Sequence, residues 1–283
     1  MPVRSTNPRT LAVALAALTL PAAAPGCASH ATAPAPPPIM FRGDPAHTGV
    51  YTDPGPASGA VVRWRYQADG TVRSSPAVTG RLVYVGTAGA LLALDRADGT
   101  VRWRYDAGSP LPSSPAVAHG VVVIGARDGS IHAVDAATGA RRWSTPPVKA
   151  LPLPWGKEGW DYWVSSPVVV GDTVLMGTPD GRLTAFDLES GDVRWSADLG
   201  ARTRSSPAVA DGIVYIGDDA GIVHAVRLAD GREVWRHETI GAGLSSAESG
   251  WDRVSLQASP AVAEGRVFIG SRDGGVYALD ART

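Results

Sequence analysis

The stretch SSPAVTGRLVYVGTAGALLALD, residues 74–95, followed by GTVRW at 99–103, decides the fold of this 283-residue chain. Similar strings return four more times, and the tryptophans at 64, 103, 143, 195 and 235 are separated by 39, 40, 52 and 40 residues. A period near 40 with several short strands per unit is typical of propeller blades. Each unit contains four candidate strands. The sequence therefore predicts an all-β fold, a β-propeller of four-stranded blades.

The central strands and their turns fit this prediction. Runs such as LVYV, VVVI and IVYI are apolar on both faces, as strands between two neighbouring blades must be. The separators ARDGS, TPDGR and SRDGG put Asp-Gly where a hairpin needs positive φ. No segment has the Asp-x-Asp-x-Asp-Gly spacing with a distal Glu that holds calcium, and the six histidines show no metal spacing. We predict no metal site, and we expect His132 and His224, at one repeat position, to be packed or hydrogen-bonded strand residues.

Four residues within each unit carry a family resemblance. Ala93, Asp95, Gly99 and Trp103 resemble the tryptophan-docking motif of the PQQ-type β-propeller repeat, as found in quinoproteins and BamB-like lipoproteins, and the ten-residue spacing from Ala to Trp recurs. The resemblance covers about residues 61–283. It implies that one indole per unit packs between blades, and these indoles belong to Trp64, Trp103, Trp143, Trp195 and Trp235. Arg227 stands where the fourth unit should have Asp, which predicts the loss of one cross-blade hydrogen bond there.

The two ends of the propeller region complement each other. The last unit stops at YALDART without a Trp strand, whereas VVRWRY at 61–66 is a Trp strand with no unit before it. We predict that 61–66 completes the last blade, giving five blades closed by an N-terminal strand with no open sheet edge. An oligomeric or gapped ring is the alternative. The propeller domain is expected over 41–283, beginning with FRGDPAHTGVY, which is similar to the segment that usually precedes such propellers.

The first 40 residues have the composition of an export and attachment region. Arg4 and Arg9 precede the apolar run LAVALAALTL, and small residues follow, so residues 1–26 are predicted to be a signal peptide. Cys27 ends a stretch that resembles a bacterial lipobox, which predicts lipidation of Cys27 and a Pro/Ala linker over 27–40. The predicted location is the periplasm or cell envelope, as an outer-membrane lipoprotein. Cleavage at an Ala-x-Ala-like site, leaving a soluble periplasmic protein, is the alternative.

Composition limits the function classes. With 26 basic and 27 acidic residues there is no basic field to collect nucleic acid. The resemblance implies that quinoprotein dehydrogenases hold calcium partly through Asn, use a catalytic Asp and often carry a vicinal disulfide. This chain has one Cys, and its only Asn is Asn7 in the predicted signal. We therefore predict no cofactor and no catalytic residue, and a PQQ-dependent dehydrogenase is a minor alternative.

Two insertions break the repeat and are the candidate binding sites. PVKALPLPWGKEGWDYW and ETIGAGLSSAESGWDRVSLQ both contain Gly-Trp-Asp and both lie between an outer Trp strand and the next inner strand, so both are expected on one face near the channel. The candidate binding residues are Trp155, Glu158, Trp160, Asp161, Trp163, Glu248, Trp251 and Asp252. Trp160 and Trp251 could instead fold down as a lid over the channel mouth.

The function predicted from these insertions is a non-catalytic binding or scaffold module. Its expected partner is a protein of the cell envelope or a glycan, with membrane contact through the lipid anchor alone. The rival hypothesis is a carbohydrate-binding or glycoside-cleaving propeller, because the insertions place four carboxylates beside indoles.

Overall fold

Nineteen strands in five antiparallel sheets form the fold of the residues that the structure describes. The structure is a computed structural model, and it describes residues 37–51, 59, 61–152, 164–245 and 252–283. The first sheet contains β1 (Ala77–Val78), β2 (Leu82–Gly86), β3 (Leu91–Asp95) and β4 (Val101–Tyr105). The second contains β5 (Ala116–Ala118), β6 (Val121–Gly125), β7 (Ile131–Asp135) and β8 (Arg141–Ser144). The third contains β9 (Val168–Val170), β10 (Thr173–Gly177), β11 (Arg182–Asp187) and β12 (Val193–Asp198).

The last two sheets follow the same plan. The fourth contains β13 (Ala208–Ala210), β14 (Ile213–Gly217), β15 (Ile222–Arg227) and β16 (Glu233–Glu238). The fifth contains β17 (Ala261–Ala263), β18 (Arg266–Gly270) and β19 (Val276–Asp280). One short 3-10 helix, Ile240–Gly243, lies between the fourth and fifth sheets. Within each sheet the strands pair in chain order, as the repeat predicts, and the chain is a β-propeller. Within the described ranges, no helix has the length and apolar character needed to cross a membrane.

The indoles join each sheet to the next. Trp103 Nε1 in the first sheet donates to the Ala136 carbonyl of the second at 3.0 Å, and Trp143 makes the same contact to Leu188 at 2.9 Å. Trp64, Trp195 and Trp235 donate to the carbonyls of Arg96, Leu228 and Ala281 at 2.9, 2.8 and 3.2 Å. Each of the five predicted docking tryptophans thus donates to a carbonyl of the sheet on which its indole packs.

The glycine of the docking motif is required for two reasons. Gly139 has φ of 73° in the turn after β7, a conformation that side chains disfavour. A Cβ atom there would lie 2.7 Å from the Trp103 ring, so the indole needs the missing side chain. Gly191 meets Trp143 in the same way at 2.6 Å. The fixed Gly in the repeat is therefore the seat of the preceding blade's tryptophan.

The motif aspartate acts inside its own sheet, which corrects one prediction. Asp187 Oδ1 accepts the amide N–H groups of Glu189 and Ser190 in the turn, and Oδ2 accepts a hydrogen bond from Arg194 at 2.6 Å. In the fourth sheet, where Arg227 replaces this aspartate, the cross-blade bond from Trp195 to Leu228 is still formed. The prediction that Arg227 removes a cross-blade hydrogen bond is wrong, because the carboxylate never takes part in that bond.

Serines form a second seam between sheets. From the second sheet onward, the serine that precedes the repeat proline accepts the backbone N–H of its counterpart in the preceding sheet. The bonds run from Ser75 to Ser114, Ser114 to Ser166, Ser166 to Ser206 and Ser206 to Ser259, at 2.9, 3.0, 2.9 and 2.9 Å. This ladder links all five sheets near the axis and explains why serine recurs there.

Closure of a five-bladed ring by residues 61–66 is not observed, and this prediction is corrected. The fifth sheet has three strands, β17–β18–β19, and residues 61–66 lie in no strand. Trp64 instead packs with Tyr66 over Val85 and Leu92, on the face of the first sheet opposite the second. Its indole donates to the Arg96 carbonyl of the first sheet, as Trp103 donates to the second, but segment 61–66 does not pair with β19.

Candidate functional site

One end of the sheets carries both insertions, and we call it the insertion face. It is formed by the turns between the second and third strands of each sheet and by the loops that link each sheet to the next. The described part of the first insertion runs across this face. Val148 N–H donates to the Asp128 carbonyl at 3.1 Å, and Leu151 N–H donates to the Pro179 carbonyl at 2.9 Å. These two acceptors lie in the turns of the second and third sheets.

The second insertion is attached to the same face. After β16, the Ile240 N–H donates to the Tyr277 hydroxyl at 3.0 Å and the Gly241 N–H donates to Asp273 Oδ2 at 2.9 Å. On its return, the Leu256 N–H donates to the Asp218 carbonyl at 2.8 Å. Burial raises the pKa of Asp273, but hydrogen bonds led by that from Tyr277 outweigh burial, so its pKa lies below the ordinary value. The flanks of both insertions are therefore held by turns of one face.

Most of the predicted binding residues lie outside the described residues. Trp155, Glu158, Trp160, Asp161 and Trp163 of the first insertion are among them, as are Glu248 and Trp251 of the second. Cys27 lies outside the described residues as well. Their assignment to binding or lipidation stays a prediction.

Asp252 is the predicted site residue that the structure describes, and its side chain lies inside the protein. It is 5% exposed and accepts the N–H groups of Val254 and Ser255 at 3.0 and 3.1 Å. The Ser255 hydroxyl and the Gln257 amide also donate to it. This carboxylate therefore fixes the return of the second insertion rather than presenting a free charge at its tip.

Two arginines complete a buried group of charges around Asp252. Arg204 and Asp219, both nearly fully buried, form an ion pair with Nη2 and Oδ1 2.8 Å apart. Arg204 Nη2 also lies 3.9 Å from Asp252 Oδ2, and Arg272 Nε lies 3.3 Å from the same oxygen. These contacts connect the fourth sheet, the fifth sheet and the second insertion. Removing one partner of such a pair would leave a buried charge uncompensated, which is strongly destabilising.

Sequence reasoning missed this group. Arg204 directly precedes its Ser-Ser-Pro stretch, where Pro112 and Val164 stand in the second and third units. Arg73 stands at the same position in the first unit, so the arginine alone did not mark the fourth unit as special. Nothing in the sequence showed that Asp219 and Asp252 would face it.

The channel at the centre of the sheets is crossed by residues 39–47. Ile39 exchanges two backbone hydrogen bonds with Val117 of β5, and Val209 of β13 and Val262 of β17 donate to the carbonyls of Pro45 and Ala46. These three valines share one repeat position, in the middle of the innermost strand. The segment thus takes up the free backbone donors of three inner strands, a role that sequence reasoning did not foresee.

His47 is the most strongly desolvated titratable group of this segment. Its Nδ1 lies 3.1 Å from the Pro260 carbonyl oxygen, and its ring packs edge-on against Phe41. Burial lowers its pKa to about 4. Nε2 is buried with no hydrogen-bond partner among the described residues. The ring is therefore neutral at pH 7 and is held by the channel.

The two repeat-equivalent histidines are structural, as predicted. His132 is hydrogen-bonded to the Tyr105 hydroxyl and the Ser130 hydroxyl, each at 2.9 Å, and burial lowers its pKa. His224 Nε2 lies 2.9 Å from Asp218 Oδ2. In the described part of the chain, no three His, Cys, Asp or Glu side chains come together as metal ligands.

The residues present do not fit the quinone cofactor of the quinoproteins. Three described acidic groups at the insertion face already have partners, since Asp219 and Asp252 face arginines and Asp273 accepts a tyrosine hydroxyl. Asn, which contributes to the calcium site in those enzymes, occurs in this chain only as Asn7. We therefore derive no chemistry through such a group.

Comparison with known proteins gives the relationships of the chain. A family profile described as outer membrane protein assembly factor BamB matches residues 52–206 and 156–283. The chain is 32% identical over 126 residues to the outer membrane protein assembly factor BamB of Yersinia pestis, covering 42% of this chain and 31% of that protein. It is 25% identical over 156 residues to the protein of that name from Legionella pneumophila, covering 42% and 41%. These matches span well under half the length of either relative.

Enzymes share the same repeat. The chain is 31% identical over 108 residues to 1-butanol dehydrogenase (cytochrome c) of Thauera butanivorans, covering 38% of this chain and 15% of the enzyme. Among solved structures, BamB from Moraxella catarrhalis superposes with a TM-score of 0.62 at 23% identity over 78% of this chain and 62% of its own. Quinohemoprotein alcohol dehydrogenase from Comamonas testosteroni gives 0.68 at 17% identity over 86% and 47%.

The structural likenesses show the propeller fold alone, whereas the profile covers far more than half of the chain. With its tryptophan seats, serine ladder and repeat spacing, the chain belongs to the PQQ-type repeat family described as outer membrane protein assembly factor BamB.

Proposed function

We propose that this protein is a non-catalytic scaffold of the cell envelope that binds a partner protein through its insertion face. The observation that carries the proposal is positional. The two insertions break an otherwise regular repeat, and the described flanks of both are hydrogen-bonded to turns of the same face. The family description, an outer membrane protein assembly factor, supports the compartment and the kind of activity.

The chemistry of the face supports binding rather than catalysis. A candidate acid or base must reach a substrate proton, yet Asp252 is buried against Arg272 and the backbone of its own loop. Ile240, near the start of the second insertion, is 74% exposed. A rigid base with exposed apolar residues beside it suits a protein contact.

A glycan is the second candidate partner. Indoles beside carboxylates favour it, and Glu158, Asp161 and Glu248 are the residues that would act there. Asp252 does not support it, because its oxygens already accept four hydrogen bonds. We also propose that Cys27 is lipidated and that this lipid is what attaches the protein to the membrane.

Site-specific photo-crosslinking in intact cells tests the proposal. A benzophenone side chain is placed at Ile240 on the insertion face, and at Ala137 as the matched control, because Ala137 is an exposed turn residue at the opposite end of the sheets. We expect a discrete protein adduct from position 240 and none from 137. Equal labelling from both positions would contradict the insertion face as the binding surface.

Tryptophan substitutions separate binding from a lid. If the loops bind, Trp160→Ala or Trp251→Ala should remove most of the 240 adduct, as expected for an interface anchor worth about 2 kcal/mol, and leave thermal unfolding unchanged. If they form a lid, both variants should lower the unfolding temperature and keep the adduct. Binding of the purified protein to a glycan array, lost in the same variants, would favour the glycan instead.

A further inference from the structure

The outer edge of the fifth sheet is shaped for a strand that it lacks in this structure. β19 has the sequence VYALD and corresponds to β3, LLALD, in the first sheet. β3 pairs with β4, which is VRWRY. Residues 62–66 are also VRWRY, and they lie in no strand. Residues 62–66 thus have the sequence of a fourth strand but lie in no sheet, and the fifth sheet contains three strands among the described residues.

An ion pair between the third and fourth strands of a sheet relates residues 62–66 to the fifth sheet. In three sheets the motif aspartate is bonded to the arginine that precedes the tryptophan: Asp95 to Arg102, Asp135 to Arg142 and Asp187 to Arg194, with N to O distances of 2.6, 2.9 and 2.6 Å. The fourth sheet has lost both members, since Arg227 and Val234 occupy these positions. The remaining members are Asp280 of β19 and Arg63.

Arg63 and Asp280 make no ion pair within the described residues, and the structure shows both exposed. In the fourth unit both positions are lost together, so Asp280 and Arg63, neither of which has an ion pair among the described residues, indicate one pair whose members are apart in this structure. Their opposite charges make the edge of the fifth sheet and segment 61–66 complementary.

Exposed apolar side chains occur both on the fifth sheet and in segment 61–66. Val276 and Phe268 on the free face of the fifth sheet are 83% and 38% exposed, and Val61 and Val62 are 76% and 82% exposed. The equivalents of Phe268 in the first and fourth sheets, Tyr84 and Tyr215, are both 2% exposed, because a following sheet covers them.

We propose that the fifth sheet takes residues 61–66 of a second copy of this chain as its fourth strand. In this structure the chain's own segment 61–66 lies on its first sheet and does not pair with β19, so the same segment of a second copy is the strand that we assign to this edge. By the register of β3 with β4, Ala278 lies opposite Trp64 of the second copy and Val276 opposite its Tyr66. The first sheet of the second copy then covers Phe268 and Val276, in a head-to-tail contact formed by strand addition.

Crosslinking between two single variants tests this contact. Arg63→Cys and Asp280→Cys are made separately in a Cys27→Ser background, so that each protein carries one thiol. A bismaleimide is then added to each variant by itself and to a mixture of the two. We expect a two-chain product from the mixture and single chains from each variant alone. A mixture that stays single-chain would overturn the proposal. So would a double variant that yields only an internally bridged single chain, because the ring then closes on itself.

Charge exchange provides a second test by analytical ultracentrifugation of the otherwise unmodified protein. Arg63→Asp or Asp280→Arg should each weaken self-association about tenfold, and the double variant should restore it. Arg141→Asp is the matched control, since Arg141 is an exposed strand residue of the second sheet without an ion pair among the described residues, and it should change nothing. Equal weakening by all three variants, or no self-association of the parent protein, would overturn the proposal.

Discussion

The first four sheets and the fifth sheet have nearly the same sequence and very different surroundings. One repeat position is occupied by Leu91, Ile131, Leu183 and Val223 in the first four sheets, and these side chains are at most 1% exposed. In the fifth sheet the same position is Val276, which is 83% exposed. The backbone pairing at this position is alike, since Gly86 faces Leu91 and Gly270 faces Val276.

The difference shows that burial in this fold belongs to the seam between two sheets. A blade provides two apolar faces, and each face is buried only when a neighbour lies against it. Stability is then a sum of contributions from each sheet and each seam, as in other repeat proteins. The same substitution should therefore have very different effects in the two regions.

The largest effect is expected from truncating the buried side chain. Leu183→Ala removes a fully buried side chain from the core around Val174 and Ile216, and we expect it to lower the free energy of unfolding by about 3–4 kcal/mol. Val276→Ala should change it by less than about 0.5 kcal/mol, because the side chain is already in water. Urea denaturation of dilute protein measures both.

Dilution matters for this pair of variants, because a second copy on the fifth sheet would bury Val276. Equal losses for the two variants in dilute protein would mean that the fifth sheet is covered within a single chain. That outcome would restore a closed ring.

The comparison extends to the channel, where the buried His47 belongs to a segment that is hydrogen-bonded to three different sheets. Its pKa is about 4 in the folded protein, against an ordinary value of 6.5. Because the unfolded chain binds the proton more readily, stability should be complete above about pH 6.5 and fall by on the order of 3 kcal/mol as the pH drops to 4. Arg42 opposes protonation of the ring and Asp44 favours it, and no other charged group of the described residues shifts its pKa.

His47→Gln should abolish this dependence between pH 6.5 and 4, as measured by the unfolding free energy at several pH values. His119→Gln, at a partly exposed turn histidine, is the matched control and should keep it. Asp135 and Asp187 titrate in a separate range, since hydrogen bonds led by those from Arg142 and Arg194 hold their pKa values at about 2. A His47→Gln protein with the original slope would show that the channel segment opens before the sheets unfold.

Sequence reasoning predicted what the repeat determines locally. Spacing of Ala, Gly and Trp predicted the strands, the turns and the seats of the indoles, because each depends on contacts between adjacent units. It did not predict that residues 61–66 stay on the first sheet, since their sequence fits the edge of either end sheet. In the structure the Trp64 indole lies over Gly99, as Trp103 lies over Gly139, while residues 61–66 do not pair with β19, and both facts depend on tertiary contacts.

The candidate site was predicted less well for the same reason. The two insertions could be located because they break the period, and their placement on one face follows from the alternation of strands. Asp252 was predicted as a loop carboxylate, yet it lies with Arg204 and Arg272, which come from two other loops. Single-sequence periodicity contains no information about contacts between segments that do not repeat.

The smallest effect is expected in the serine ladder, which again has an interior and an end. Ser166→Ala removes the hydroxyl that accepts the buried Ser114 N–H, so that donor loses its acceptor and the unfolding free energy should fall by about 1–2 kcal/mol. Ser75 stands at the same repeat position in the first sheet, but the structure shows it exposed, and no described residue donates to its hydroxyl. Ser75→Ala should therefore be neutral, and it serves as the matched control for the loss of one hydroxyl. Hydrogen exchange locates the effect, because the Ser114 amide should exchange faster in Ser166→Ala while the Ser75 amide, bonded to Ser114, keeps its protection. A neutral Ser166→Ala would show that water replaces the hydroxyl, and the seam between sheets would then depend on the indoles alone.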